Sequence, residues 1–263
     1  MPRRARRDED RPVAPRLRDV LTSSRSALMV DTDGGLSKQL RSIRSFVRRD
    51  GRLTSAQSRA MAQLLPLYSV DPERLAELIQ ESGHNRALQL EIGIGNGDNL
   101  VSAAEQNKND LLIGCEVHRP GIGHTLLQIE KRGLPNVKVV CADAVDVVAM
   151  LPPQSLDAIA VYFPDPWPKK RHHKRRLMQQ SFADLLRQKV KSNGVLRFAT
   201  DDPDYAEQVA SLLTPESGWL NLAGQGHFSP RPRSRIVTRF EHRALRAGRA
   251  IYDITAMPVL SAD

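Results

Sequence analysis

Residues 90–98 read Leu90-Glu91-Ile92-Gly93-Ile94-Gly95-Asn96-Gly97-Asp98, a composition suited to a ligand-binding turn. Gly93, Gly95 and Gly97 let the backbone approach a ligand closely, because no Cβ intervenes and positive φ is permitted. The spacing is not the dinucleotide fingerprint G-x-G-x-x-G: counted from Gly93, the last glycine position holds Asp98. Glu91 stands two residues before the first glycine, where a carboxylate would repel a diphosphate and attract a cation. A ligand carrying a sulfonium and an ammonium fits such a turn better than a pyrophosphate does, which points to S-adenosylmethionine (SAM). A purely structural turn is the alternative.

Two further acids recur at the same kind of position. Glu116 follows Gly114-Cys115, where a carboxylate can accept both hydroxyls of a ribose. Asp143 follows Val140-Cys141-Ala142, where it can accept from an adenine amino group. Either could instead cap a helix. Three carboxylates at three successive strand ends favour the cofactor reading.

A fourth strand end reads Tyr162-Phe163-Pro164-Asp165-Pro166-Trp167-Pro168. Each proline ring fixes its own φ and disfavours helix in the residue before it, so Asp165 is expected to be held stiffly at a pocket rim. That suits an orienting or charge-stabilising group. The run Lys169-Lys170-Arg171-His172-His173-Lys174-Arg175-Arg176 follows, with six of its eight residues permanently cationic. Beside a reacting centre it is placed to grip phosphates; a solvated face is the alternative. No carboxylate or cysteine completes a ligand set for His172 and His173, so no metal is expected. Asp201 ends a fifth strand. Residues 231–249 hold seven Arg and one acid, a second basic stretch.

These groups need a frame at whose edge they converge. Short β-rich runs at 87–93, 111–117, 137–143, 156–163 and 194–200 alternate with helical patterns at 98–106, 120–132, 144–150, 173–191 and 203–213. A further helix is expected over 68–82, capped by Asp71 and stopped by Gly83. Strands alternating with helices imply βαβ units and a mostly parallel sheet. Two final extended runs, 219–222 and 250–257, with an Arg-rich loop between them, predict a C-terminal antiparallel hairpin. The fold class is therefore α/β: a Rossmann-like class I methyltransferase fold with a seven-stranded, mostly parallel sheet.

The 263-residue chain has 39 Lys+Arg against 30 Asp+Glu, a net charge of +9, which favours a polyanionic partner. Residues 1–40 are expected to form a basic, disordered extension, and 41–263 the folded domain. Cys115 and Cys141 make no disulfide framework; both lie in apolar runs and are expected to be buried and reduced. No apolar stretch reaches the ~18 residues of a membrane span, and the basic N-terminus lacks the apolar segment of a secretory signal. A cytoplasmic protein without a membrane partner is expected.

Over roughly residues 40–255 the chain resembles the bacterial tRNA (guanine-N7)-methyltransferase family. The resemblance rests on residues 43–49 and 51–54, on 90–97, and on Glu116-Val117-His118. It continues through Phe163-Pro164-Asp165-Pro166-Trp167 with its basic run, Ala199-Thr200-Asp201, and Thr238-Arg239-Phe240-Glu241. The resemblance implies methyl transfer from SAM to N7 of guanosine in the tRNA variable loop, at position 46. It implies SAM ligands at Glu91, Glu116, Asp143 and Asp165, and substrate-binding residues at Lys169, Asp201, Thr238, Arg239, Phe240 and Glu241. Asp165 matches the family's active-site aspartate. The family usually has Lys where this chain has Arg239, which keeps the charge and changes the donor geometry; Pro168 stands where it has His. The implied partner is tRNA, with no obligate protein partner and a monomeric or homodimeric state. Amino-methylating enzymes instead carry Asn/Asp-Pro-Pro-Tyr/Phe, a different order from Pro164-Asp165-Pro166-Trp167.

Overall fold

The structure, a computed structural model, describes residues 51–83 and 86–259. The expected N-terminal extension and the family-like segment 43–49 lie outside the described residues. Seven strands form one sheet: β1 (Leu88–Ile92), β2 (Leu111–Cys115), β3 (Val137–Val140), β4 (Leu156–Tyr162), β5 (Val190–Thr200), β6 (Trp219–Asn221) and β7 (Tyr252–Pro258). Their order is β3-β2-β1-β4-β5-β7-β6. The first five run parallel, and β7 is antiparallel to both neighbours.

Both faces of the sheet are covered, which explains why the strands read as nearly continuous apolar runs. On one face α1 (Ser55–Gln63), α4 (Asp98–Gln106) and α5 (Arg119–Arg132) pack through Ala60, Leu100 and Leu126 onto Leu112, Val137 and Val139. On the other, α6 (Ala144–Met150), α7 (Gln180–Lys189) and α8 (Pro203–Leu212) bury Val148, Phe182 and Val209 against Leu90, Ile159 and Phe198. Chain order reverses between β1 and β4, so the turns after these two neighbouring strands open at one edge. That is where ligands bind in such sheets.

Several expected elements differ. The helix expected over 68–82 is broken into α2 (Leu65–Tyr68), a 3-10 turn (Pro72–Arg74) and α3 (Leu75–Glu81). The chain between them is extended because the Val70 N–H donates to the Val139 carbonyl at 3.0 Å. Asp71 makes no side-chain cap. The helix expected over 173–191 starts only at Gln180, because Lys170–Arg175 is a 3-10 turn and Arg176, Leu177 and Met178 are buried between the two. The loop expected before the last strand contains a helix, α9 (Arg239–Arg246). β6 and β7 pair antiparallel across this connection, as expected. β5 begins at Val190, with a register shift opposite Leu156 and Ala158. Cys115 is buried as expected, whereas Cys141 lies just past β3 and is exposed. Among the described residues, no helix is long and apolar enough to cross a membrane.

Candidate active site

The turn after β1 is built by backbone conformations that only glycine adopts without strain. Gly93 and Gly95 have φ of +72° and +54°, and a Cβ built on either would meet nothing within 4 Å. Both thus border open space. Gly97 is held for a different reason: a Cβ there would lie 2.4 Å from Oγ1 of Thr125. Gly97 is also the N-cap of α4.

The three acids expected at strand ends all reach this edge, in three different settings. Glu116 is half-buried at the end of β2. Its Oε2 accepts the Gly95 N–H at 2.9 Å, and its Oε1 accepts the N–H groups of Val117 at 2.7 Å and His118 at 2.9 Å. Asp143 caps α6, accepting the Val145 N–H at 3.0 Å. Glu91 is buried, and burial, reinforced by the charge of Asp98, pushes its carboxyl up to about 8.

Two clefts meet over Gly93, Tyr162 and Phe163. The larger, about 360 Å³, lies between Glu116 and Asp165, with walls from Ile92, Cys115, Val117 and Leu177. The smaller, about 270 Å³, lies on the side of Glu91, Asp98 and Asn99 and is walled by Thr238, Arg239, Phe240 and Arg243. Polar groups at the mouth, apolar walls and a side-chain-free turn are the features of a site for an amphipathic small molecule. The fit to SAM is good: Glu116 can face ribose hydroxyls, and the apolar walls suit an adenine.

Asp165 is exposed and lines the larger cleft. The residues bracketing its loop, Phe163 and Trp167, have φ of +52° and +46°. Non-glycine residues in this region cost about 1–3 kcal/mol each, and such conformations persist only where their surroundings over-determine them. The Phe163 ring packs against Phe240, centroids 5.2 Å apart, and the Arg235 guanidinium sits 5.4 Å from its centroid.

The cationic run divides. Lys169, Arg171, Lys174 and Arg175 are exposed, and Arg175 lies 5.0 Å over the Trp167 ring. His172 packs edge-on to the same ring, and partial desolvation, together with the cations around it, lowers its pKa. His173 lies 3.7 Å from Asp204. Arg176, expected with the others at the surface, is only 1% exposed and turned inward.

The remaining expected substrate residues also separate. Thr238 caps α9 through the Glu241 N–H, while Arg239 and Phe240 are exposed. Glu241 is buried, its carboxylate bonded to Arg235, which is itself buried and bonded to Asp253 at 3.0 and 2.9 Å. This triad fixes the segment that carries Thr238, Arg239 and Phe240. Asp201 is buried and pairs with Arg249 at 2.6 Å. Nothing local to the chain separates Arg235 from the other arginines of its loop. Among the described residues, no group of three or more His, Cys, Asp or Glu is placed to hold a metal ion.

A family model described as "Putative methyltransferase" matches residues 85–254. A protein of Nitrosococcus oceani named tRNA (guanine-N(7)-)-methyltransferase is 44% identical over 225 residues, which is 84% of this chain and 92% of that protein. One of Halorhodospira halophila with the same name is 45% identical over 219 residues, 82% and 95% of the two chains. Among solved structures, a 16S rRNA (adenine(1408)-N(1))-methyltransferase variant from Catenulisporales acidiphilia, determined with its cosubstrate SAM, superposes with a TM-score of 0.50 at 17% identity. That match covers 74% of this chain and 94% of the other, and it shows a shared fold.

Proposed function

Because the chain belongs to the tRNA (guanine-N(7)-)-methyltransferase family, we propose that it methylates N7 of the guanosine at position 46 of the tRNA variable loop, with the acceptor base presented to Asp165. The observation that carries the assignment of the site is the placement of Asp165. It is an exposed carboxylate on a loop bracketed by two left-handed residues, at the mouth of a cleft lined by the glycine turn and Glu116, with cations beside it.

SAM, when bound, supplies a methyl group on a sulfonium. Glu116, Asp143 and the backbone of Gly93, Gly95 and Gly97 hold it in this reading, with Glu91 buried behind the turn. Guanine N7 already has a free lone pair at neutral pH, so no residue needs to remove a proton first. The work left to the protein is alignment, worth several kcal/mol in a well-oriented pair, and stabilisation of the positive charge that develops on the base. Asp165 provides a fixed negative charge for this. Lys169, Arg171, Lys174, Arg175 and Arg239 are placed to bind phosphates, and Phe240 offers an exposed ring on which a base can stack. Thr238 caps the helix that presents Arg239 and Phe240, and His172 packs on the same Trp167 ring as Arg175.

The reading is tested with methyl-labelled SAM and total tRNA, followed by borohydride reduction and aniline cleavage, which breaks the chain at 7-methylguanosine. Cleavage at variable-loop position 46 is expected. Label without cleavage there, or cleavage elsewhere, rejects it.

A further inference from the structure

Arg176 is the last residue of a run that would be read as a phosphate-binding face, yet every donor of its guanidinium is turned inward. Nε donates to the Pro166 carbonyl at 2.7 Å and Nη1 to Oε1 of Gln208 at 2.7 Å. Nη2 lies 2.7 Å from Asp204 and 3.8 Å from Asp202, and the guanidinium plane sits 4.7 Å from the Tyr205 centroid. Four of these five partners, Asp202, Asp204, Tyr205 and Gln208, belong to α8 or its N-cap. The fifth is the residue that follows Asp165.

The loop needs such a clamp. Prolines 164 and 166 have no N–H with which to anchor it, and Phe163 and Trp167 hold left-handed backbone at its two ends. A side chain that ties the Pro166 carbonyl to a helix packed on the sheet supplies the over-determination. A planar fork is required: Lys presents a single ammonium and cannot serve the carbonyl, amide and carboxylate in fixed directions at once. The Asp204 carboxyl is held below its ordinary value chiefly by the Arg176 guanidinium, 2.7 Å away.

We propose that Arg176 is a positioning residue for methyl transfer: it acts through the Pro166 carbonyl to keep Asp165 aimed into the cleft and makes no contact with tRNA phosphate. This rests on the proposed role of Asp165. Misplacing a reacting group by about 1 Å can cost on the order of a hundredfold in rate. Arg176→Lys is therefore expected to lower kcat by about that factor, while KM for tRNA and the salt dependence of tRNA binding stay at wild-type values. Arg171→Ala, at an exposed cation, is expected to do the reverse: KM rises, and the slope of log K against log salt becomes shallower by about one.

An Arg176→Lys enzyme with wild-type kcat overturns the inference, and so does one whose loss lies in KM and the salt slope. If that variant fails to fold, Asp204→Asn loosens the same clamp from a side chain that is 62% exposed. A several-fold loss of kcat with an unchanged salt slope is then expected, and unchanged kcat overturns the inference. A wild-type chain that leaves tRNA unmethylated contradicts the proposed function itself. A wild-type chain that methylates, beside an Arg176→Lys chain that does so equally well, contradicts only the role given to Arg176.

Discussion

The carboxylate of Glu116 accepts the backbone N–H of Gly95 at 2.9 Å, so the end of β2 fixes the glycine turn that follows β1. Its other oxygen holds the N–H groups of Val117 and His118. In Glu116→Gln the side-chain amide can present only one acceptor oxygen, leaving donors unsatisfied on one side. Such a loss costs about 1–3 kcal/mol. Isothermal titration should show SAM affinity weakened by roughly tenfold or more, with the fold retained by circular dichroism. Wild-type affinity would detach Glu116 from the cofactor.

Glu91 should make stability pH-dependent. Burial raises its folded pKa to about 8 from an ordinary value of 4.5, so the folded state binds the proton more tightly than the unfolded one. The stability contributed is complete below about pH 4.5 and is lost as pH rises through about 8. Glu91→Gln mimics the protonated form at every pH. The unfolding free energy of wild type, measured in urea and referred to that variant, is expected to fall across this window by an amount on the order of a few kcal/mol. A difference that does not change with pH contradicts the buried, protonated state.

Asp165→Ala removes an exposed side chain from a rim loop, so melting temperature should change little. Turnover should fall by about 10²- to 10³-fold if the carboxylate stabilises developing charge. Near-normal turnover by folded Asp165→Ala protein would remove its role.

Arg235 is the centre of a buried triad with Glu241 and Asp253. Arg235→Met leaves two buried carboxylates without their partner, which costs about 3–5 kcal/mol. The neighbouring exposed Arg233 should tolerate Ala within about 0.5 kcal/mol. Urea denaturation separates the two cases, and equal, small losses would contradict the structural role of Arg235.

How far the sequence disclosed this molecule depended on whether the deciding force was local. Helices α4 and α6 begin where expected because Gly97 and Asp143 mark their starts, and the strand-end acids follow from the βαβ order. The burial of Arg176 and Arg235 was not legible. Both lie among exposed arginines of the same type, and what draws them inward is Tyr205 and Asp204 in one case and Asp253 in the other, residues brought up by the fold. The two unforeseen helices did carry a local signal: Thr54 with Gln57, and Thr238 with Glu241, have the spacing of a capping box, and at Thr54 both reciprocal bonds form. The α1 sequence SAQSRAMAQ holds few large apolar residues, and the arginines of α9 made its segment read as a loop.

The central claim is that the N7 lone pair of one variable-loop guanosine attacks beside Asp165. A tRNA carrying 7-deazaguanosine at position 46 keeps the shape and charge of the substrate and replaces N7 by a C–H. Titrated with this tRNA and assayed with methyl-labelled SAM, the enzyme is expected to bind it as it binds normal tRNA and to transfer no label. Label incorporated into the 7-deaza tRNA at the normal rate would show that another atom accepts the methyl group, and would contradict the account.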